Sequence, residues 1–595
     1  MNIMRFFKAP QLLGRADSNR SRQFRLPRAF LTIAVSSAVA SVFFVSSAQA
    51  NGTWGTAIEV PGFASISTGA GVAVNTVSCS SDGNCGAIGA YTDASNAVQA
   101  FVSNETSGTW GVAIPVPGIA TLNFGGAVGI ILVISCTSTG NCSAGGTYTD
   151  VSKNTQVFVV NETNGTWGSA IEVPGFAALN TGGGTSGQLF ALSCSSAGNC
   201  SAGGAYKDSS SKVQSFVVSE TNGMWGAAQE VPGSAALNVG GTGILTSMDC
   251  SSNGNCSGAG VYADSSSLIQ GYVVSETGGT WGSAAAAPGL AALNAGGYTV
   301  PIQISCSSAG NCGVAGGYAD SLNNSQAYVA NEINGTWGGA IEVPGTSQLN
   351  AGNGASVYAI QCRAAGSCSA GGTYADASNN TQGFLVDETN GTWGTAVEVP
   401  GLAALNVGGS ADVLTLSCGS FGNCSAGGDY ADALGNGQGF VVNETDGTWG
   451  TAVEIPGLGA LNAGQGATLG WVSCSMDGSC SAGGTYTDAS NNPQGFFVSA
   501  AADIFVPGSP SVRAKSTSKG VVTLSVTGTT PNGGSPITDY QYSINGGGWK
   551  NSPSGNSRTI RLSHLTSGRT YRIKLRASNE IGQGKPSSTK VVKIK

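Results

Sequence analysis

The sequence predicts an all-β chain: an eight-bladed β-propeller of four-stranded blades over 51–505, then a β-sandwich over 506–595. Three observations predict it. Glycine supplies 93 of 595 residues and charged residues only 10%, which suits short strands and tight turns better than helices built from Glu, Lys, Leu and Ala. The 16 cysteines fall into eight Cys-x5-Cys pairs. The first cysteines of successive pairs lie 57, 58, 56, 56, 56, 56 and 56 residues apart, a period typical of solenoids and propellers.

Residues 1–50 read as a secretory leader. Arg5, Lys8, Arg15, Arg20, Arg22, Arg25 and Arg28 precede an apolar run from 29 to about 45, closed by Ala-Gln-Ala at 48–50. The competing reading is an N-terminal membrane anchor, but the run is short and rich in Ser and Ala. No later segment is apolar enough to cross a bilayer, so no transmembrane anchor is expected after leader removal.

The pairs Cys79/Cys85, Cys136/Cys142, Cys194/Cys200, Cys250/Cys256, Cys306/Cys312, Cys362/Cys368, Cys418/Cys424 and Cys474/Cys480 predict eight local disulfides formed in an oxidising compartment. Zinc fits poorly. Each pair offers two of four ligands, and the only histidine, His564, lies outside the repeats.

The unit running from 413 to 457 shows the blade. Its first strand is the apolar run ending at Cys418, and its second runs from Cys424 to Tyr430. The third is Gln-Gly-Phe-Val-Val at 438–442, and the fourth runs from Trp449 to Ile455. Gly and Asn between the cysteines make one hairpin turn, Asp446-Gly447 makes another, and Pro456-Gly457 ends the unit. No unit carries a helical apolar period. Residues 51–62 hold a fourth strand with nothing before it, whereas the eighth unit loses its Trp segment after Val498. The opening segment is therefore expected to complete the last blade; the alternative is a local strand at 504–508.

The third-to-fourth turns, SNETSGTW, VNETNGTW, SETNGMW and SETGGTW, resemble the Asp-box of sialidase-type propellers. Here Glu105, Glu162, Glu220, Glu276, Glu332, Glu388 and Glu444 replace the Asp. SCSSAGNCSAGGTY resembles repeats of secreted bacterial propeller-like proteins. Both resemblances imply architecture and no chemistry. Residues 508–595 resemble a fibronectin type III domain through GGSPITDYQYSI at 533–544 and through Leu565, Gly568, Tyr571, Ala577, Asn579 and Gly582. The resemblance implies that Tyr571 forms a tyrosine corner, and that Val526 stands where a core Trp is usual.

Charge divides sharply. Residues 51–505 carry four basic (Lys153, Lys207, Lys212, Arg363) and 29 acidic residues, a net of −25; residues 506–595 carry 14 basic and two acidic, a net of +12. An acidic soluble surface explains the first region. The basic sandwich suits docking on the repeats or tethering to anionic envelope polymers. Nucleic-acid binding is not expected, since no basic and aromatic stripe suits stacking on bases.

Two elements recur in every unit. Tyr-x-Asp occurs at Tyr91/Asp93, Tyr148/Asp150, Tyr206/Asp208, Tyr262/Asp264, Tyr318/Asp320, Tyr374/Asp376, Tyr430/Asp432 and Tyr486/Asp488; a glutamine follows at Gln99, Gln156, Gln214, Gln270, Gln326, Gln382, Gln438 and Gln494. Structurally, Asp caps the turn and Gln satisfies buried backbone groups. Functionally, Tyr148, Tyr206, Tyr262, Tyr318, Tyr374 and Tyr430 with their Asp partners sit near Asn180, Asn238, Asn294 and Asn406. Together they offer rings and polar groups to a sugar. The same Asp residues are the only candidates for calcium, although no D-x-D-x-D-G loop is present; no other cofactor and no metal site are expected.

Catalysis is disfavoured. A sialidase needs an arginine cluster and the repeats hold Arg363 alone; no repeat histidine offers a general base. The off-pattern residues Arg363, Trp471, Tyr298, Tyr358 and Phe421 include no extra carboxylate pair of the kind a glycosidase requires. The favoured expectation is a monomeric, non-catalytic extracellular binding or adhesion protein for a glycan or surface polymer. A carboxylate-dependent hydrolase or lyase and a purely structural envelope protein are the alternatives.

Overall fold

The computed structural model describes residues 53–67, 71–80, 84–124, 126–251, 254–419, 424–445, 447–475, 478–501, 507–527, 537–579 and 582–595. The leader expected over 1–50, Phe421 and residues 504–506 lie outside the described residues.

From 54 to 500 the chain builds eight antiparallel sheets, one per cysteine pair. In the seventh repeat the first strand is Ala411–Cys418, the second Cys424–Ala431 and the third Gly437–Thr445. Apolar residues alternate along the first strand, as a period of two demands. The fourth strand differs from expectation. It is broken into Thr448–Trp449 and Val453–Glu454, both paired with the third strand. Between them the backbone turns to the preceding sheet, where the Ala452 N–H donates to the Pro400 carbonyl at 2.8 Å.

After each Pro-Gly the chain makes one helical turn that sequence patterning missed. In the seventh repeat it is Leu458–Leu461. Gly457 opens it at φ 79°, a left-handed conformation that a side chain would strain.

All eight cysteine pairs are disulfide-bonded, each across the hairpin of the first two strands. Each loop is short, so each bond is worth about 2 kcal/mol of unfolded-chain entropy. The bridges are more than clips at the surface of a hairpin. The second cysteine of every pair is buried: Cys85, Cys142, Cys200, Cys256, Cys312, Cys368, Cys424 and Cys480. Cys85, Cys142, Cys368 and Cys480 pack in the apolar clusters between sheets, beside Val77, Ile134, Ile360 and Val472 respectively. The first strands also share a β-bulge, for example between Val413 and Thr415 and between Val357 and Ala359. The bulge turns the bulged residue, Leu414 or Tyr358, out of the ladder.

The cores lie between consecutive sheets. Ile88, Ala100 and Val102 of the first sheet pack with Leu132, Ile134 and Phe158 of the second. A large aromatic sits on every third strand: Phe101, Phe158, Phe216, Tyr272, Tyr328, Phe384, Phe440 and Phe496 are all fully buried. Each contributes roughly 1.5–3 kcal/mol by leaving water.

The eighth sheet makes the same contacts with the first. Ile58–Glu59 pairs with Pro493–Ala500, so the opening segment supplies its fourth strand. The Ala113 N–H donates to Pro61 O, the Cys79 N–H to Ser473 Oγ, and the Trp110 indole to Ser499 Oγ. Trp110 stacks on Phe497 with ring centroids 3.7 Å apart.

Residues 507–595 form two further sheets. One holds Val512–Ser518, Val521–Val526 and Thr559–Leu562; the other holds Lys550–Asn551, Asp539–Ile544, Thr570–Ser578 and Lys590–Lys593. Val522, Leu524, Val526, Tyr540, Ile560, Ile573 and Leu575 fill their common core. The Tyr571 hydroxyl accepts the Thr566 N–H at 2.9 Å. No helix among the described residues is long and apolar enough to cross a membrane.

Candidate functional site

The residues repeated in every unit are tied to one another. Tyr148, Tyr206, Tyr318, Tyr374 and Tyr430 are buried, and their hydroxyls donate to Glu172, Glu230, Glu342, Glu398 and Glu454 on the fourth strand of the same sheet. Tyr262 lacks this partner, because Ala286 stands at the Glu position. Burial pushes the Tyr374 phenol up, and Glu398 adds to the shift.

Asp150, Asp208, Asp264, Asp320, Asp376 and Asp432 cap the turns after the second strands, each accepting the backbone N–H four residues on. The Asn380 N–H holds the Asp376 carboxyl below its usual range. Gln does not serve backbone groups as expected. Its amide donates to the cap Asp, as in Gln214 to Asp208 and Gln382 to Asp376. Its oxygen accepts from the Asn that ends the helical turn, as in Asn238 to Gln214, Asn294 to Gln270 and Asn406 to Gln382. A patterned side chain close in space to other polar side chains meets them before it meets backbone. Asn180 spans neighbouring sheets, donating to Thr155 O and accepting the Lys207 N–H.

The cysteines add no chemistry to a site. Every described sulfur is bridged, and none is free. Cys85, Cys142, Cys200, Cys368 and Cys480 are buried as well as bridged, in the pairs that their spacing predicts.

At the opposite ends of the strands, six of the seven glutamates of the Asp-box-like turns stitch the sheets together. Glu105 accepts from Ser481 and Ser499, Glu220 from Asn161 and Ser143, and Glu276 from Ser201 and Ser219, always in the preceding sheet. Glu162 and Glu388 accept from Asn104 and Asn331 alone. Gly86 and Gly313 occupy the place of the second serine there. Burial raises all of these carboxyls. Glu444 is pushed up to about 7 by burial and by Asp387, against the pull of Arg363, whose guanidinium lies 3.4 Å away. Arg363 is thus engaged in an ion pair.

Glu332 differs. It is 5% exposed, and its Oε2 has no hydrogen-bond partner, as at Glu162 and Glu388. Those two still accept from an asparagine, but no described side chain of the preceding sheet donates to Glu332, and burial alone raises its carboxyl. Ser257 and Ser275, the counterparts of the serines that serve Glu276, bond to each other as Ser201 and Ser219 do, but neither donates to Glu332. A cleft of about 520 Å³ opens at this seam between the fourth and fifth sheets, lined by Asn255, Ser275, Glu276, Glu332, Asn334 and Trp337 among others. Ala285 also lines it; at that register the other sheets carry Ile58, Ile114, Ile171, Gln229, Ile341, Val397 and Val453. The alanine run from Ala284 to Ala287 was a visible signal in the sequence, since the repeat loses its Ile-Glu there.

The structure also corrects the absence of an off-pattern carboxylate pair. Asp412 and Asp429 stand directly opposite each other on the first two strands of the seventh sheet. Burial pushes Asp429 up to about 8, with Asp412 adding, while its Oδ1 accepts the Leu469 N–H at 2.6 Å. Burial, with Asp412 behind it, pushes Tyr358 up to about 12. Among the described residues, no group of three or more His, Cys, Asp or Glu is arranged to hold a metal ion.

No family model matches the chain, and no curated protein matches it. Solved structures do. A fibronectin type III domain from the human KIAA0970 protein is 19% identical, covering 16% of this chain and 74% of its own at a TM-score of 0.13. The twitchin kinase region from C. elegans is 26% identical, over 14% of this chain and 17% of its own, also at 0.13. A myokine structure is 14% identical, over 15% of this chain and 97% of its own, at 0.13.

Proposed function

We infer that residues 54–500 form a closed eight-bladed propeller, carried with a fibronectin type III-like sandwich, and that the protein is a non-catalytic extracellular binder of glycans. Three kinds of contact between the eighth and first sheets support the ring: the Ala113–Pro61 and Cys79–Ser473 hydrogen bonds and the Glu105 link to Ser481 and Ser499. Eight disulfides support an oxidising compartment. The observation that carries the binding reading is a contrast. The polar groups common to all repeats satisfy each other, whereas the seam cleft holds amides, hydroxyls, a carboxylate and an indole around open space, in the size range of small-ligand sites.

The sandwich serves as spacer or tether. Arg572, Lys574 and Arg576 alternate with the core residues Ile573, Leu575 and Ala577, so they share the outer face of their strand. Arg576 lies 4.4 Å over the Trp549 ring.

The test is a glycan array probed with the full-length protein, disulfides formed, beside an assay for release of reducing ends. Binding without products is the expected result. Silence in both assays supports the structural envelope reading instead. The Asp412–Asp429 pair favours one further reading, a carboxylate-dependent hydrolase or lyase. Turnover abolished by Asp429→Asn establishes it and overturns the non-catalytic one.

A further inference from the structure

The geometry points to the seam between the fourth and fifth sheets as a binding site for one neutral sugar ring, with Glu332 accepting its hydroxyls and Trp337 packing on its face. The inference rests on the glycan-binding reading above and assigns the site within it.

Four observations meet at this place. Glu332 is a buried acceptor with a vacant oxygen, and such a group costs free energy until a donor reaches it. The serines equivalent to those serving Glu276 are present as Ser257 and Ser275 on the fourth sheet, yet neither donates to Glu332. Ala285 widens the opening where seven other sheets present Ile, Val or Gln. The lining then supplies amide donors from Asn255 and Asn334, hydroxyls that both give and accept, and an indole. That is the complement of a pyranose, whose rim is hydroxyl and whose faces are C–H.

Charge narrows the class. Glu276 and Glu332 both line the cleft, and the repeat region around it is net −25. A uronate or sulfated sugar meets repulsion on every side. A neutral ring does not.

Full-length protein is titrated calorimetrically with neutral oligosaccharides of glucose, galactose and N-acetylglucosamine, and with oligogalacturonate. At least one neutral probe should bind at one site per chain, and oligogalacturonate should not. Glu332→Gln, which keeps the shape and puts a donor amide where the acceptor stood, should weaken that probe about tenfold or more. Ala285→Ile restores the residue type that other sheets carry exposed, so it should block the site with an unchanged unfolding temperature. Glu388→Gln, in another seam, should leave affinity alone. Neutral-sugar binding that survives both Glu332→Gln and Ala285→Ile overturns the site while leaving the glycan-binding reading intact. Failure of every oligosaccharide overturns both.

Discussion

The repeat region and the C-terminal sandwich solve the same problem, keeping thin β-sheets folded, by different means. The sandwich closes two sheets over one core with no cysteine. Each repeat sheet has no private core: it shares one with each neighbour, carries its own disulfide, and trades buried glutamates, serines and asparagines across all seams but that of Glu332. The difference teaches that stability in the repeats is distributed between neighbours, whereas in the sandwich it is local.

Reduction is the strongest way to break this contrast. The repeat region loses eight cross-links worth about 2 kcal/mol each in a chain-entropy estimate that need not add. Scanning calorimetry with reductant should lower the repeat transition by many degrees and leave the sandwich transition in place. Next in size is Trp54→Ala. Trp54 is buried against the eighth sheet, and its indole donates to Asn443 of the seventh. Truncation should cost roughly 3–5 kcal/mol and be felt by the repeats alone in denaturant unfolding.

Acidity sharpens the comparison further. The Asp429 carboxyl is raised to about 8 from an ordinary value of about 4, so the folded state holds its proton more tightly. Its contribution is complete below the ordinary value and is lost as pH rises through about 8. Repeat-region stability should fall as pH rises from about 4 to about 8 and level off above that. Asp429→Asn should flatten that fall and add about 1–2 kcal/mol at the alkaline end, where the native protein must bury a charge. The smallest effect belongs to the sandwich. Tyr571→Phe removes the hydroxyl that accepts the Thr566 N–H and should cost about 1 kcal/mol in the sandwich transition only.

Much of this was legible in the sequence where one residue decides one local event. Cysteines six apart fix a hairpin, and an orphan Trp54 segment asks for a sheet lacking its last strand. What escaped depends on neighbours. The spacing of Cys362 and Cys368 shows the bridge, but the packing of Cys368 beside Ile360 and Phe384 comes from the stacking of sheets. The fourth strand breaks because Ala452 bonds a proline 52 positions earlier, and Gln382 finds Asp376 and Asn406 instead of backbone. Asp429 was visible as the Asp in Gly-Gly-Asp-Tyr, but its meeting with Asp412 follows from the strand register. Glu332 was the least legible of all. Its serines match those of Glu276 letter for letter, and only the folded arrangement shows that they do not reach it.

The pairing of Ile58 with Phe497 has a consequence for biogenesis. The segment made earliest waits for nearly the whole repeat array before its partner exists. During folding the first repeats can accumulate as hairpins already locked by their own sulfur bridges, yet final assembly is deferred to the arrival of the last. A chain halted one repeat short would expose two unmatched sheet flanks, the condition in which β proteins join to other copies.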